Sequence, residues 1–186
     1  MAALDELVEL LGRPPYRPAR EQDWVEVERY VGSALPGDFK AFLDRYGSGA
    51  LCGELTVFHP RGSSPLLTRM REIHEFFGQA REDYPQDHPY PFHPEPGGLI
   101  SWGYDPSGDE HFFLPCDPDP GHWTIVTMVH EVGVEVFDGS FAQFALDFVR
   151  RLCKLDADTS QAEPDDEDEW AELGLAGPIT PSFEPF

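Results

Sequence analysis

Positive charge is scarce in this chain, and over long stretches it is missing. Of 186 residues 13 are Lys or Arg against 35 Asp or Glu, a net charge of -22. Residues 82–149 carry 13 acids and neither Lys nor Arg, and residues 156–186 carry ten acids and again no base. Such a surface repels phosphate backbones and anionic membranes, which argues against nucleic-acid and lipid ligands. It would speed encounter with a basic partner. Acidity also keeps proteins soluble, so charge by itself leaves both explanations standing. Cysteine is equally sparse. Cys52, Cys116 and Cys153 are odd in number and widely spaced, which argues against a disulfide framework and fits a reducing cytosol. The opening MAALDELVELLGRPP lacks the basic and apolar regions of a signal peptide. No apolar run is long enough to cross a bilayer. The expected location is cytoplasmic.

What is present is aromatic and periodic. Ala2–Leu11 reads as a helix with Leu4, Leu7, Val8 and Leu11 on one stripe, stopped by Gly12 and the prolines beyond. A second helix is expected from Asp23, where Asp23 and Glu26 have capping-box spacing and Trp24, Val27 and Val31 form an apolar face. In "LPGDFKAFLDRYG", Pro36 suits a first turn, Phe39, Phe42, Leu43 and Tyr46 recur at helical spacing, and Gly47 suits the cap. "SGAL" then reads as a loop into a strand over Glu54–Phe58. Leu66–Asp83 predicts a longer helix with Leu67, Met70, Ile73, Phe77 and Ala80 inward. The proline-rich "YPQDHPYPFHPEPGG" after it excludes helix and central strand, leaving a loop with His88 and His93 exposed.

Strands are expected at Leu99–Tyr104, Glu110–Leu114, His122–Val129 and Val132–Phe137. A last helix follows, with Ser140 and Gln143 at capping-box spacing. Phe141, Phe144, Ala145, Phe148 and Leu152 form its inner face. The composition of residues 156–186 predicts an acidic, disordered tail behind a single domain over 1–155. The class is α+β: N-terminal helices, one inserted helix and a closing helix, packed on one face of a mainly antiparallel sheet.

The segment YDPSGDEHFFLPCDPDPGH, residues 104–122, gathers acids, two histidines and a cysteine. As a calcium loop it fails, because Glu110 stands where glycine is needed and Cys116 where the closing Glu belongs. As a zinc site it requires His111 and Cys116 to converge, yet an odd separation along a strand points them to opposite faces. "DPSG" instead suits a type I turn, with Asp105 bonding backbone amides. No G-x-S-x-G elbow, zincin helix or phosphate loop is present. The residues by themselves leave an enzyme unsupported.

Three stretches together resemble the SUKH superfamily of bacterial immunity proteins and fungal cell-wall-synthesis regulators. They are "LPGDFKAFLDRYGSGAL", "GLISWGYDPSGDEHFFLPC" and "GSFAQFALDFV", in that order between Asp23 and Leu155. The resemblance implies an α+β protein that works by binding, usually to neutralise a toxin, without cofactor or catalytic residues, so no cofactor is expected. Its motif residues Leu35, Pro36, Phe39, Phe42, Tyr46 and Gly47 would build the core, so no site is carried over from it. The expectation is a non-enzymatic immunity protein whose acidic surface docks a basic toxin domain. Contact residues expected from charge and aromaticity are Asp83, Asp87, Asp105, Asp109, Glu110, Asp117 and Asp119, with Tyr90 and Trp123 as anchors. Two alternatives differ in class. A regulatory adaptor would use the acidic tail, and a metal- or thiol-dependent hydrolase would need Cys116, His111 and His122 to meet.

Overall fold

A computed structural model describes residues 2–14, 20–130, 133–155 and 179–186. Among these, the helices are α1 (Ala2–Leu11), α2 (Gln22–Val31), α3 (Gly37–Tyr46), α4 (Leu66–Asp83) and α5 (Phe141–Leu152). The strands are β1 (Gly49–Leu51), β2 (Leu55–Val57), β3 (Ile100–Tyr104), β4 (Glu110–Leu114), β5 (Thr124–Val129), β6 (Gly133–Phe137) and β7 (Phe183–Pro185). They form one antiparallel sheet in the order β6-β5-β4-β3-β2-β1-β7. The α+β class holds.

Helices cover both faces of this sheet, not one. Phe113 and Ile125 point to the side of α3 and α5, while their neighbours Phe112 and Val126 point to α4. Consecutive buried apolar residues in β4 and β5 are the mark of a strand covered twice. On the α5 side the rings of Phe39, Trp102, Phe113 and Phe141 meet at centroid distances of 5.0–6.2 Å. On the α4 side Phe77, Phe92 and Phe112 close a second, smaller cluster. A bulge between Ser101 and Gly103 shifts the β3–β4 register. Gly103 has to be glycine-sized, since a Cβ there would lie 2.6 Å from the Thr56 carbonyl oxygen.

Local chemistry fixes the helix ends. Ser140 accepts from the Gln143 amide at 3.3 Å as its spacing predicts, and Asp38 adds a carboxylate from α3 that accepts from Ala142 N–H at 2.7 Å. The Asp23 box does not form. α2 begins one residue earlier, Asp23 accepts from the Arg20 amide at 2.9 Å, and it pairs with Arg61. "GAL" is a strand and not the expected loop, because Gly49–Leu51 pairs on both sides, with β2 and β7.

The proline-rich segment is an ordered loop pinned by buried Phe92, with a parallel bridge from Phe92 to Leu99. Its histidines are half-buried rather than exposed: His88 packs on Phe77, and His93 on Tyr30 and His74. Of the expected tail, residues 156–178 lie outside the described residues. Phe183–Pro185 form the edge strand β7, because Phe183 finds an aromatic socket beside β1.

Candidate functional site

α4 carries two adjacent phenylalanines, and one helical stripe cannot bury both. Phe77 turns into the smaller cluster, whereas Phe76 remains 64 % exposed. Phe76 and Phe77 stand at the wall of a groove of about 920 Å³ between α4, the proline-rich loop and the ends of β4–β6. Ile73, Met128 and Val134 supply apolar lining, and Asp87, Glu110 and His130 supply polar groups. Among the described lining residues none is Lys or Arg.

Glu110 is the unusual member. It is 9 % exposed, and its carboxylate pairs with Arg69 of α4. Arg69 also lies over the Tyr104 ring, 5.0 Å from its centroid. Burial pushes the Glu110 carboxyl up to about 7, against the opposing pull of the guanidinium. One Glu110 oxygen, Oε2, is buried without a protein partner. The groove is therefore lined at this point by a carboxyl group already paired with the Arg69 guanidinium.

The residues expected from sequence to meet a partner separate by position along β4. At its start, Asp105 accepts from the amides of Ser107 (2.9 Å) and Asp109 (3.1 Å), as the turn reading predicts. Asp109 accepts from the His130 amide at 2.8 Å, tying the β3–β4 turn to the β5–β6 end beside the groove. Asp83 is exposed on the last turn of α4 and Asp87 lines the groove. Tyr90 is half-buried against the smaller cluster.

Asp117, Asp119 and Trp123 lie past the other end of β4, in its connection to β5. Asp117 and Asp119 are exposed, but Trp123 is 5 % exposed and donates from Nε1 to the Asp117 carbonyl at 2.8 Å. Trp123 is thus a core residue, since its ring packs on Phe113 and its one polar atom is used internally. Glu110 is likewise no free surface acid, because alternation in β4 turns it inward to Arg69. Phe76, Met128, His130 and Arg69 join the site without being among the contacts expected from sequence.

The histidines and thiols are distributed as structural groups. His111 is buried on the α5 side, with Nδ1 2.9 Å from Thr127 Oγ1 and its ring stacked on Trp102. Cys116 is exposed, and its Sγ contacts the His122 carbonyl at 3.7 Å and Thr124 Oγ1 at 3.4 Å. His111, Cys116 and His122 do not converge. Among the described residues no group of three His, Cys, Asp or Glu is placed to hold a metal ion.

His74 accepts the Ser101 amide at Nε2 (2.9 Å), so its neutral ring carries the proton on Nδ1 and donates it to Tyr30 Oη at 3.0 Å. Burial lowers His74 to about 3 and His111 to about 4. Neither is poised to exchange protons near neutrality. No helix among the described residues is long and apolar enough to cross a membrane.

Residues 18–147, more than half of the chain, match the sequence model of the SMI1/KNR4 family (SUKH-1). The match spans α2 through most of α5 and includes every strand lining the groove. No curated protein matches the chain.

Proposed function

The chain belongs to the SMI1/KNR4 family (SUKH-1), and from that premise we propose that it is a non-catalytic, protein-binding member of the immunity type. It neutralises a toxin by occupying a basic surface of the toxin domain. The observation that carries this reading is the groove: apolar walls, an exposed Phe76, Asp87 as its free acid, and no Lys or Arg among the described lining residues. An apolar anchor ringed by polar groups is the usual anatomy of a binding hot spot. The partner it fits presents apolar side chains flanked by Lys or Arg. The 82–149 stretch, with its 13 acids, would steer such a partner from a distance.

The test titrates a purified toxin domain with a basic, apolar-studded surface calorimetrically into the full chain. Phe76→Ala should weaken binding at least about tenfold, as loss of a hot-spot aromatic does. Asp87→Asn should slow association and flatten its salt dependence. Tight binding that neither substitution alters would place the interface elsewhere and remove the groove from the argument.

A further inference from the structure

β1 has β2 on one side and the short strand β7 on the other. β7 lies outside the residues that match the family. Its pairing is brief: Leu51 with Phe183, Ala50 with Glu184 and Gly49 with Pro185. Cys52 N–H donates to the Ser182 carbonyl at 2.9 Å, and Phe186 N–H to the Ser48 carbonyl at 3.3 Å. Pro185 has no N–H to give.

Two aromatic sockets flank this edge. Phe183 sits against the buried rings of Phe42 and Tyr46, at centroid distances of 5.8 and 5.1 Å. Phe186 leans on Phe58 at 6.0 Å but stays 58 % exposed. Gly49 makes room for the first ring, since a Cβ there would lie 2.5 Å from both Phe183 Cζ and the Glu184 carbonyl oxygen. The edge is shaped for its occupant, yet Glu184, Pro185 and Phe186 remain at the surface.

We propose that the β1 edge is a peptide-binding site for an extended Phe-x-x-Phe segment, with residues 182–186 as its resident and exchangeable occupant. Strand addition supplies the backbone hydrogen bonds and the two sockets supply selectivity. A pairing this short, with Glu184, Pro185 and Phe186 exposed and Phe183 its one inserted ring, opens locally without global unfolding. A tethered occupant outcompetes a free one of equal intrinsic affinity. An outside segment therefore gains the site once the resident rings are weakened. The site lies at the opposite edge of the sheet from β6 and the groove, so neither reading depends on the other.

The experiment keeps the full chain and substitutes both anchors, Phe183→Ala with Phe186→Ala. The probe is a fluorescein-labelled peptide of residues 179–186, ITPSFEPF, followed by fluorescence polarisation. The double variant should bind it saturably and at least about tenfold tighter than the unmodified chain. Adding Gly49→Val should return binding to the unmodified level. If the double variant loses its thermal transition, hydrogen exchange on the unmodified chain decides. The Cys52 and Phe186 amides should then exchange at least about tenfold faster than amides of the central strands β4 and β5. The proposal is overturned by a folded double variant that binds no tighter, or by equal binding of a peptide with both phenylalanines replaced by alanine. Equal protection of the β7 contacts and the central ladder would overturn it as well.

Discussion

Replacing Glu110 by glutamine should make the protein relatively more stable as pH rises. Below about pH 4.5 the wild-type carboxyl is protonated in both folded and unfolded chains, and Glu110 contributes nothing to pH dependence. Between there and about 7 the folded protein holds a proton that the unfolded chain has released. Stability then falls with rising pH, by roughly 1.4 kcal/mol per unit. Over the whole interval the loss is on the order of 3 kcal/mol, and it is complete above about pH 7.

A glutamine side chain in this place would keep the shape and an oxygen for Arg69 but has no proton to lose. Urea unfolding of both proteins at about pH 4.5, 6 and 8 isolates the group, because all other titrations cancel in the difference. The stability of Glu110→Gln minus wild type should grow by about 3 kcal/mol across that range. A difference constant to within about 0.5 kcal/mol would refute burial as the governing influence. A difference that shrinks with pH would show that the Arg69 ion pair wins, holding the carboxyl below its ordinary value.

The histidines act in the opposite direction. His74 and His111 have folded values lowered to about 3 and about 4, so their contribution is fully present above the unfolded value of about 6.5 and is lost as pH falls toward 4. In the Glu110→Gln protein, where nothing from that carboxyl offsets them, unfolding free energy should drop by several kcal/mol between about pH 6.5 and 4. A flat profile there would contradict their burial as neutral rings. Thiol reactivity should be graded. Exposed Cys116 reacts first with an aromatic disulfide reagent at about pH 8, while buried Cys52 waits for denaturation. Cys153, pushed up to about 11 chiefly by burial and then by Cys52, has only about a thousandth of its thiol ionised at that pH. A native count near three would refute this order. Finally, Asp38→Ala removes the carboxylate that receives Ala142 N–H and should cost about 1 kcal/mol in urea unfolding, without changing the slope.

Helix periodicity made much of the fold legible. Leu66–Asp83 and Ala2–Leu11 match their expected spans because long apolar stripes and proline or glycine stops act locally. β1 and β7 were not legible. Three-residue strands carry too little alternation, and the pairing of these two joins residues more than a hundred positions apart. Two-sided burial was written in the Phe112-Phe113 and Ile125-Val126 pairs, yet periodicity alone does not say what covers each face.

The acids at the groove were visible as charge, but charge does not reveal which carboxylate faces inward. Glu110 is inward by strand alternation, and only its Arg69 partner on α4 explains how it stays there. The one missed signal that sequence did contain was Phe76. A second phenylalanine beside Phe77, off the inward stripe, points to a ring left at the surface.

The late position of β7 in the chain has a consequence for synthesis. Leu51 and the partner it meets, Phe183, are made 132 residues apart. At ribosomal speeds of about 5–20 residues per second, roughly 7 to 26 seconds separate them. Until residue 183 is made, β1 lacks its β7 partner and the ring socket over Phe42 and Tyr46 lacks Phe183. Any chaperone or neighbouring polypeptide with a suitable strand meets that edge before the protein's own segment exists.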